Sequence, residues 1–215
     1  MTPAEQSRRA AEICALAPVI PVLVIDDVAK AAPLAKALVA GGLPALEITL
    51  RTPAALDAIS AMAEVPGGVV GAGTLLTPAD VKAAKRAGAT FGVSPGATDR
   101  LLDACAEEGL PLLPGAATAT EVMTLLERGY TVQKFFPAEA SGGAPVLAAI
   151  GAPIPQVTFC PTGGIGPANV DAYLKLANVS CVGGSWVAPK DKVAAEDWAG
   201  IEALARTASE LKRAR

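Results

Sequence analysis

Eight short apolar runs rich in β-branched residues alternate with alanine-rich stretches of helical length along the whole chain. The runs span residues 19–25, 45–50, 69–73, 91–94, 111–114, 131–136, 156–161 and 181–184. Helical stretches follow near 29–41, 53–64, 78–87, 98–109, 118–128, 144–150, 167–176 and 190–213. A strand regained after every helix enters its sheet in parallel, because a parallel pair needs a crossover of about a dozen residues. Eight such units predict an α/β protein of the (β/α)8 TIM-barrel kind, with an extra N-terminal helix over residues 3–16 lying beneath it.

The joints carry matching chemistry. Thr52-Pro53, Thr77-Pro78 and Gly166-Pro167 set proline at or near a first helical position, where a missing N–H costs nothing. Gly41-Gly42, Gly88, Gly109 and Gly129 stand at the far ends of helical stretches. There is no linker, composition shift or internal repeat, so residues 1–215 are read as a single domain.

Composition narrows the chemistry. The chain contains no histidine. Ser-His-Asp and Cys-His nucleophile systems, HExxH metal clusters and imidazole acid–base chemistry are thereby excluded. Carboxylates, lysines, hydroxyls, thiols and backbone amides are left. A net charge of −3 leaves no basic footprint for nucleic acid, and 52% hydrophobic residues suffice for a large core. The amphipathic N-terminal stretch lacks the apolar run of a signal peptide, and no later run approaches the ~20 apolar residues of a membrane span. The expectation is a cytoplasmic protein with no membrane partner. Cys14, Cys105, Cys160 and Cys181 form no CxxC pair and read as reduced, isolated thiols filling the core, not as a zinc site.

In a barrel the reactive groups gather at the C-terminal ends of strands, so polar residues there are the ones to question. The second run reads ALEITLR: Leu46, Ile48 and Leu50 share one face, and Glu47, Thr49 and Arg51 the other. Such groups inside a barrel are costly unless paired or working, which leaves either a buried Glu47–Arg51 ion pair or catalytic chemistry. The sixth run, TVQKFFP, holds Lys134. That lysine either snorkels outward or is an interior amine whose pKa is drawn down by desolvation. Gly163-Gly164 and Gly183-Gly184 follow the seventh and eighth strands, where glycine loops commonly cradle phosphate. Gly164 also precedes the helix start at Pro167, which favours an anion through amides and the helix dipole. Thr162 and Ser185 add hydroxyls beside these loops. Thr74 and Pro95 follow the third and fourth strands, as plain turns or as ligand contacts.

Taken together, EITLRTPAAL (47–56), VGAGTLLTP (70–78), FGVSPG (91–96), KFFPAEASGG (134–143), FCPTGGI (159–165) and GGSW (183–186) resemble the class I 2-keto-3-deoxy-6-phosphogluconate (KDPG) aldolases, also described as 4-hydroxy-2-oxoglutarate (KHG) aldolases. The resemblance runs in order from the first strand to the last. It implies a homotrimeric barrel of the Entner–Doudoroff pathway that cleaves a phosphorylated 2-keto acid to pyruvate and glyceraldehyde 3-phosphate without cofactor or metal. Carried onto this chain, Lys134 forms the Schiff base and Glu47 is the acid–base. Arg51, Thr74 and Thr162 hold the pyruvyl carboxylate region, and Gly163, Gly164, Gly184 and Ser185 the phosphate. Arg51 keeps Glu47 ionised, and Phe136 or Phe135 keeps the site dry. Asp26 and Asp27 stand where some members carry basic residues. A sister group acting on the galactonate epimer lacks the arginine of EITLR and the KFFPAE wording. Other readings of the same barrel are a phosphosugar isomerase or synthase, a metal-dependent aldolase with an all-oxygen site, and a non-catalytic barrel that binds a phosphorylated metabolite.

Overall fold

The fold comes from a computed structural model that describes residues 1–214. The apolar runs form strands β1 (Val19–Leu23), β2 (Ala45–Thr49), β3 (Val69–Gly73), β4 (Phe91–Val93), β5 (Leu112–Leu113), β6 (Gly115–Ala116), β7 (Val132–Phe135), β8 (Thr158–Pro161) and β9 (Val182–Gly184). The stretches around them form α1 (Pro3–Ala15), α2 (Ala31–Ala40), α3 (Ala55–Ala63), α4 (Pro78–Arg86), α5 (Asp99–Glu108), α6 (Ala119–Glu127), α7 (Gly143–Gly151), α8 (Val170–Leu174), α9 (Lys190–Ala194) and α10 (Trp198–Ser209). Thr2, Thr77 and Thr118 begin α1, α4 and α6 with reciprocal capping boxes, which satisfy amides that the first helical turn leaves free. Gly109 ends α5 at φ 62°, a left-handed conformation that a side chain would resist.

Every strand pairing is parallel. The strands make a curled α/β sheet in two arcs, one of six strands in the order β5-β4-β3-β2-β1-β9 and one of three in the order β6-β7-β8. Single bridges, Phe159 to Val179 and Thr162 to Gly183, run between β8 and the β9 segment. The expected single strand over 111–114 is instead split into β5 and β6 at Pro114, which has no N–H to give a ladder.

Two more expectations need correction. The helix expected over 167–176 shrinks to α8, because Asn169 accepts the Gly166 amide at 2.8 Å and donates to the Gly164 carbonyl at 3.1 Å, holding residues 166–169 as a turn. The long helix expected over 190–213 is two helices. Glu196 takes a left-handed φ of 55°, and Asp197 restarts the chain by accepting from the Gly200 amide at 2.9 Å.

Two apolar layers follow from strand alternation. Leu46, Ile48, Val70, Ala72 and Phe135 pack outward against the helices, while Ile20, Ala45, Phe91, Val93, Leu113, Val132, Cys160 and Cys181 fill the concave side. Gly71 makes room there, since a Cβ at that position would lie 2.4 Å from the Phe91 ring. Helix α1 closes this inner cluster with Ala10 and Cys14. It docks by hydrogen bonds as well as packing: Gln6 Oε1 accepts from the Leu112 amide at 3.2 Å and Ser7 Oγ from the Thr131 amide at 2.9 Å. All four cysteines are free and buried. Cys105 is alone, its thiol pushed up to about 12 by burial, but Cys14, Cys160 and Cys181 come within hydrogen-bonding reach of one another although far apart in sequence.

Replacing Gln6 by Leu leaves the Leu112 amide buried without an acceptor. Urea denaturation should report a loss of about 1–3 kcal/mol, with faster hydrogen exchange at Leu112.

Candidate active site

Lys134 and Glu47 reach the same point from opposite parts of the sheet. Lys134 Nζ lies 3.4 Å from Glu47 Oε1, and the two residues are 5% and 3% exposed. β2 and β7 are not neighbours in either arc, so their side chains meet only across the concave interior. Alternation along β7 sends the flanking residues the other way: Gln133 donates to the Val122 and Tyr130 carbonyls, and Phe135 joins the outer layer. Lys134 therefore does not snorkel outward. Phe136 turns back inward, with its ring centroid 5.0 Å from Lys134 Nζ, so Phe136 and not Phe135 shields the amine.

The alternative ion pair between Glu47 and Arg51 is not formed. Arg51 is exposed on the rim and donates through Nε to Thr74 Oγ1 at 3.4 Å, while Thr49 Oγ1 donates to the Leu23 carbonyl at 2.9 Å. Burial raises the Glu47 carboxyl above its ordinary value of 4.5; Lys134 opposes that most, and Arg51 contributes less. The charge that favours the ionised carboxylate is thus chiefly Lys134 rather than Arg51, because Lys134 is in contact and Arg51 is at the mouth. Thr74 adopts φ 62°, strained for a β-branched residue, and this conformation turns its hydroxyl to Arg51.

A cavity of about 840 Å³ opens beside the Phe136 ring, and Arg51, Phe136, Thr162, Gly163, Gly164, Gly184 and Ser185 line it, whereas Lys134 and Glu47 are not on its wall. Gly163 and Gly164 take φ of 106° and 77°. Among the described residues their amides donate to no protein acceptor, while Ala138 and Glu139 hold the loop by donating to the Thr162 and Gly163 carbonyls at 2.8 and 3.0 Å. Tyr173 donates to Glu139 from behind. Since the next helix begins only at Val170, loop amides and not a helix dipole are what this wall offers an anion. Thr162 Oγ1 is buried without a partner, and Gly183 leaves it space, for a Cβ there would lie 2.3 Å away. Pro95 stands apart from the cavity: its carbonyl packs over Gly115, as a turn residue.

Sequence reasoning passed over several groups at this site. Val22, Lys30, Trp186, Lys190 and Val193 line the cavity, with Asp26 and Asp27 at its edge. Lys30 Nζ donates to the Ala194 carbonyl at 2.9 Å, joining the loop after β1 to α9 across the mouth. Lys30, Trp186, Asp26 and Asp27 come from irregular segments without a readable period, while Val22 on β1 and Lys190 and Val193 on α9 carry no polar-on-apolar signal that would single them out. In the sequence Gly73 reads only as the neighbour of Thr74 at the mouth of the third strand, although a glycine inside a strand is itself a sign of close approach.

A buried amine and carboxylate beside unpaired loop amides, at the ends of parallel strands, make the site of a carbonyl-handling lyase that works with its own side chains. The sequence model "Aldolase: KDPG and KHG aldolase" matches residues 10–204. A 2-dehydro-3-deoxy-phosphogluconate aldolase of Pseudoalteromonas atlantica is 55% identical over 192 residues, 89% of each chain. The crystal structure of the 2-keto-3-deoxy-6-phosphogluconate aldolase of Zymomonas mobilis with 3-phosphoglycerate aligns with TM-score 0.93 and 51% identity, covering 97% of this chain and 98% of that one. A KDPG aldolase of Legionella pneumophila, with pyruvate captured as a covalent carbinolamine, aligns with TM-score 0.90 and 46% identity over 93% and 98% of the two chains. The chain belongs to the KDPG and KHG aldolase family.

Because burial raises the Glu47 carboxyl, the folded chain holds that proton more tightly than the unfolded chain. The stabilisation it brings is complete below the unfolded value and is lost as pH rises through the folded one. Lys134→Met removes the largest opposing influence. Carbon-13 NMR of the Glu47 carboxyl should show it ionising at a higher pH in that variant; an unchanged midpoint would show that the two groups are not coupled.

Proposed function

We propose that this chain is a Schiff-base aldolase that cleaves 2-dehydro-3-deoxy-6-phospho-D-gluconate to pyruvate and D-glyceraldehyde 3-phosphate, and also 4-hydroxy-2-oxoglutarate to pyruvate and glyoxylate. The observation that carries this reading is the Lys134–Glu47 contact of 3.4 Å, buried beside the Phe136 ring, which itself lines a cavity with free amides on its wall.

Each step uses groups already in place. Proton transfer from Lys134 to the Glu47 carboxylate leaves a neutral amine, and two neutral groups suit a dry site better than two ions. The amine adds to the C2 ketone, Glu47 gives its proton to the leaving hydroxyl, which departs as water, and the resulting iminium accepts the electron pair of the C3–C4 bond while the carboxylate is restored. Glu47 takes the C4 hydroxyl proton as the aldehyde leaves and then returns a proton to C3 of the enamine. Water hydrolyses the pyruvyl imine and frees the lysine. One carboxylate suffices because the transfers are sequential. Arg51, with Thr74 behind it, faces the substrate carboxylate; Thr162 offers its unpaired hydroxyl; Gly163, Gly164, Gly184 and Ser185 receive the phosphate. Two relatives support the ends of this scheme, since the Legionella pneumophila aldolase holds a covalent pyruvate adduct and the Zymomonas mobilis aldolase a phosphorylated three-carbon acid. Arg51 and the KFFPAE segment favour the gluconate over the galactonate epimer.

The proposal extends to architecture. β5 and β6 are read as one strand broken at Pro114, which joins the two arcs on one side as the Thr162–Gly183 bridge joins them on the other. On this reading the sheet closes as a (β/α)8 barrel forming a single domain. A homotrimer in the cytoplasm follows from the family resemblance, and no helix is long and apolar enough to cross a membrane among the described residues.

Borohydride with pyruvate should label Lys134 covalently, located by peptide mass spectrometry, and Lys134→Ala should abolish both labelling and turnover. Glu47→Gln should lower pyruvate release, coupled to lactate dehydrogenase, by about 10²–10⁴-fold while retaining some label. Release should be faster from the gluconate than from the galactonate epimer. Labelling elsewhere, or turnover without Lys134, sinks the mechanism.

A further inference from the structure

β3 carries glycine at two inward positions, and the two gaps serve different neighbours. At Gly71 the absent Cβ gives space to the Phe91 ring, in the apolar cluster. At Gly73 a Cβ would lie 2.3 Å from Glu47 Oε1, 2.7 Å from its Cγ and 2.8 Å from its Cδ, and these are the three nearest atoms. No backbone and no other side chain is as close. Gly73 also has no left-handed φ, so its backbone conformation alone makes no demand for glycine. Its carbonyl accepts from the Leu50 amide at 2.9 Å in the β2–β3 ladder, a bond that a methyl group leaves untouched. What the position excludes is therefore one side chain's competitor for one space.

We infer that Gly73 is a positioning residue: its missing Cβ is the slot that holds the Glu47 carboxylate against Lys134. The inference rests on the reading of Glu47 as the acid–base. Glu47 is 3% exposed, with Gly73 on one side and Lys134 Nζ at 3.4 Å. The carboxylate cannot swing into solvent to make room. A methyl group at Gly73 displaces it by about an ångström, and a misplacement of that size costs about 10²-fold in rate. The loss falls on proton transfer at C3 and C4, where Glu47 acts, more than on attack by the amine.

The test is a double-mutant cycle on the full chain with three readouts: borohydride trapping of pyruvate, exchange of the pyruvate C3 hydrogens into deuterium oxide by NMR, and the melting curve. Gly73→Ala should slow exchange about 10²-fold while the trapped fraction stays near that of the parent. In the Glu47→Asp background the shorter acid vacates the slot, so adding Gly73→Ala should cause no further loss of exchange. Gly71→Ala, which meets only the Phe91 ring, should lower the melting temperature without a selective loss of exchange. Undiminished exchange in Gly73→Ala, or an equal loss in both backgrounds, overturns the inference. Should Gly73→Ala alone fail to fold, the Glu47→Ala background decides: there the methyl has room, so the double variant should melt with Glu47→Ala, and failure to fold overturns the inference. Full exchange in Glu47→Gln would instead overturn the acid–base role of Glu47, which separates the two failures.

Discussion

A lysine and a glutamate lie in contact inside a sheet whose concave face is otherwise largely apolar. An ammonium or a carboxylate taken out of water loses several kcal/mol of hydration even after relaxation, and a contact of 3.4 Å recovers only part of it. The Glu47 carboxyl accordingly sits above its ordinary range despite the lysine beside it. Much of the surrounding structure answers that one cost. Phe136 lays a ring near the ammonium, glycines on β3 and β9 leave space for Glu47 and Thr162, and the Thr162 hydroxyl remains unpaired beside the cavity. A site with an unpaired donor and a raised carboxyl is one whose polar groups are completed by something that binds there.

The apolar framework makes this tension sustainable. Helix α1 seals the N-terminal end of the strands with Ala10 and Cys14, and its Gln6 and Ser7 take amides that the strand ends would otherwise leave unsatisfied. The opposite end stays open, and there the chain spends its irregular backbone: Thr74, Gly163 and Gly164 all hold positive φ within one rim. Closure at one end and irregularity at the other separate the part of the molecule that resists unfolding from the part that meets a ligand.

Much of the site was legible along the chain because strands have a period of two. Glu47 alternates with Leu46 and Ile48, and Lys134 with Gln133 and Phe135, so a polar group on an apolar strand announces itself. The glycine pair after β8 was legible as a loop, whereas Gly183 and Gly184, expected to follow the last strand, lie inside β9 and pair with Ile20 and Pro21 of β1. The pairing of side chains was not legible. Glu47 has Arg51 four residues away in sequence, yet its partner is Lys134 from a strand that is nowhere its neighbour. Strand continuity at Pro114, the break at Glu196 and the short α8 also escaped the pattern, since each is decided by single backbone groups: a missing N–H, a left-handed residue, an asparagine that caps a turn.

The order of strands and helices, the parallel direction of the sheet, the inward face of each strand and the absence of imidazole chemistry all belong to the sequence, because they depend on residue type and local period. Which side chains touch belongs to the tertiary structure. The curl of the sheet sets β2 across from β7 and aligns Gly73 with the Glu47 carboxylate, contacts that depend on separations of many residues and on a few tenths of an ångström of packing. A sequence can place a carboxylate and an amine on inward faces. Only the curl of the sheet makes them one pair.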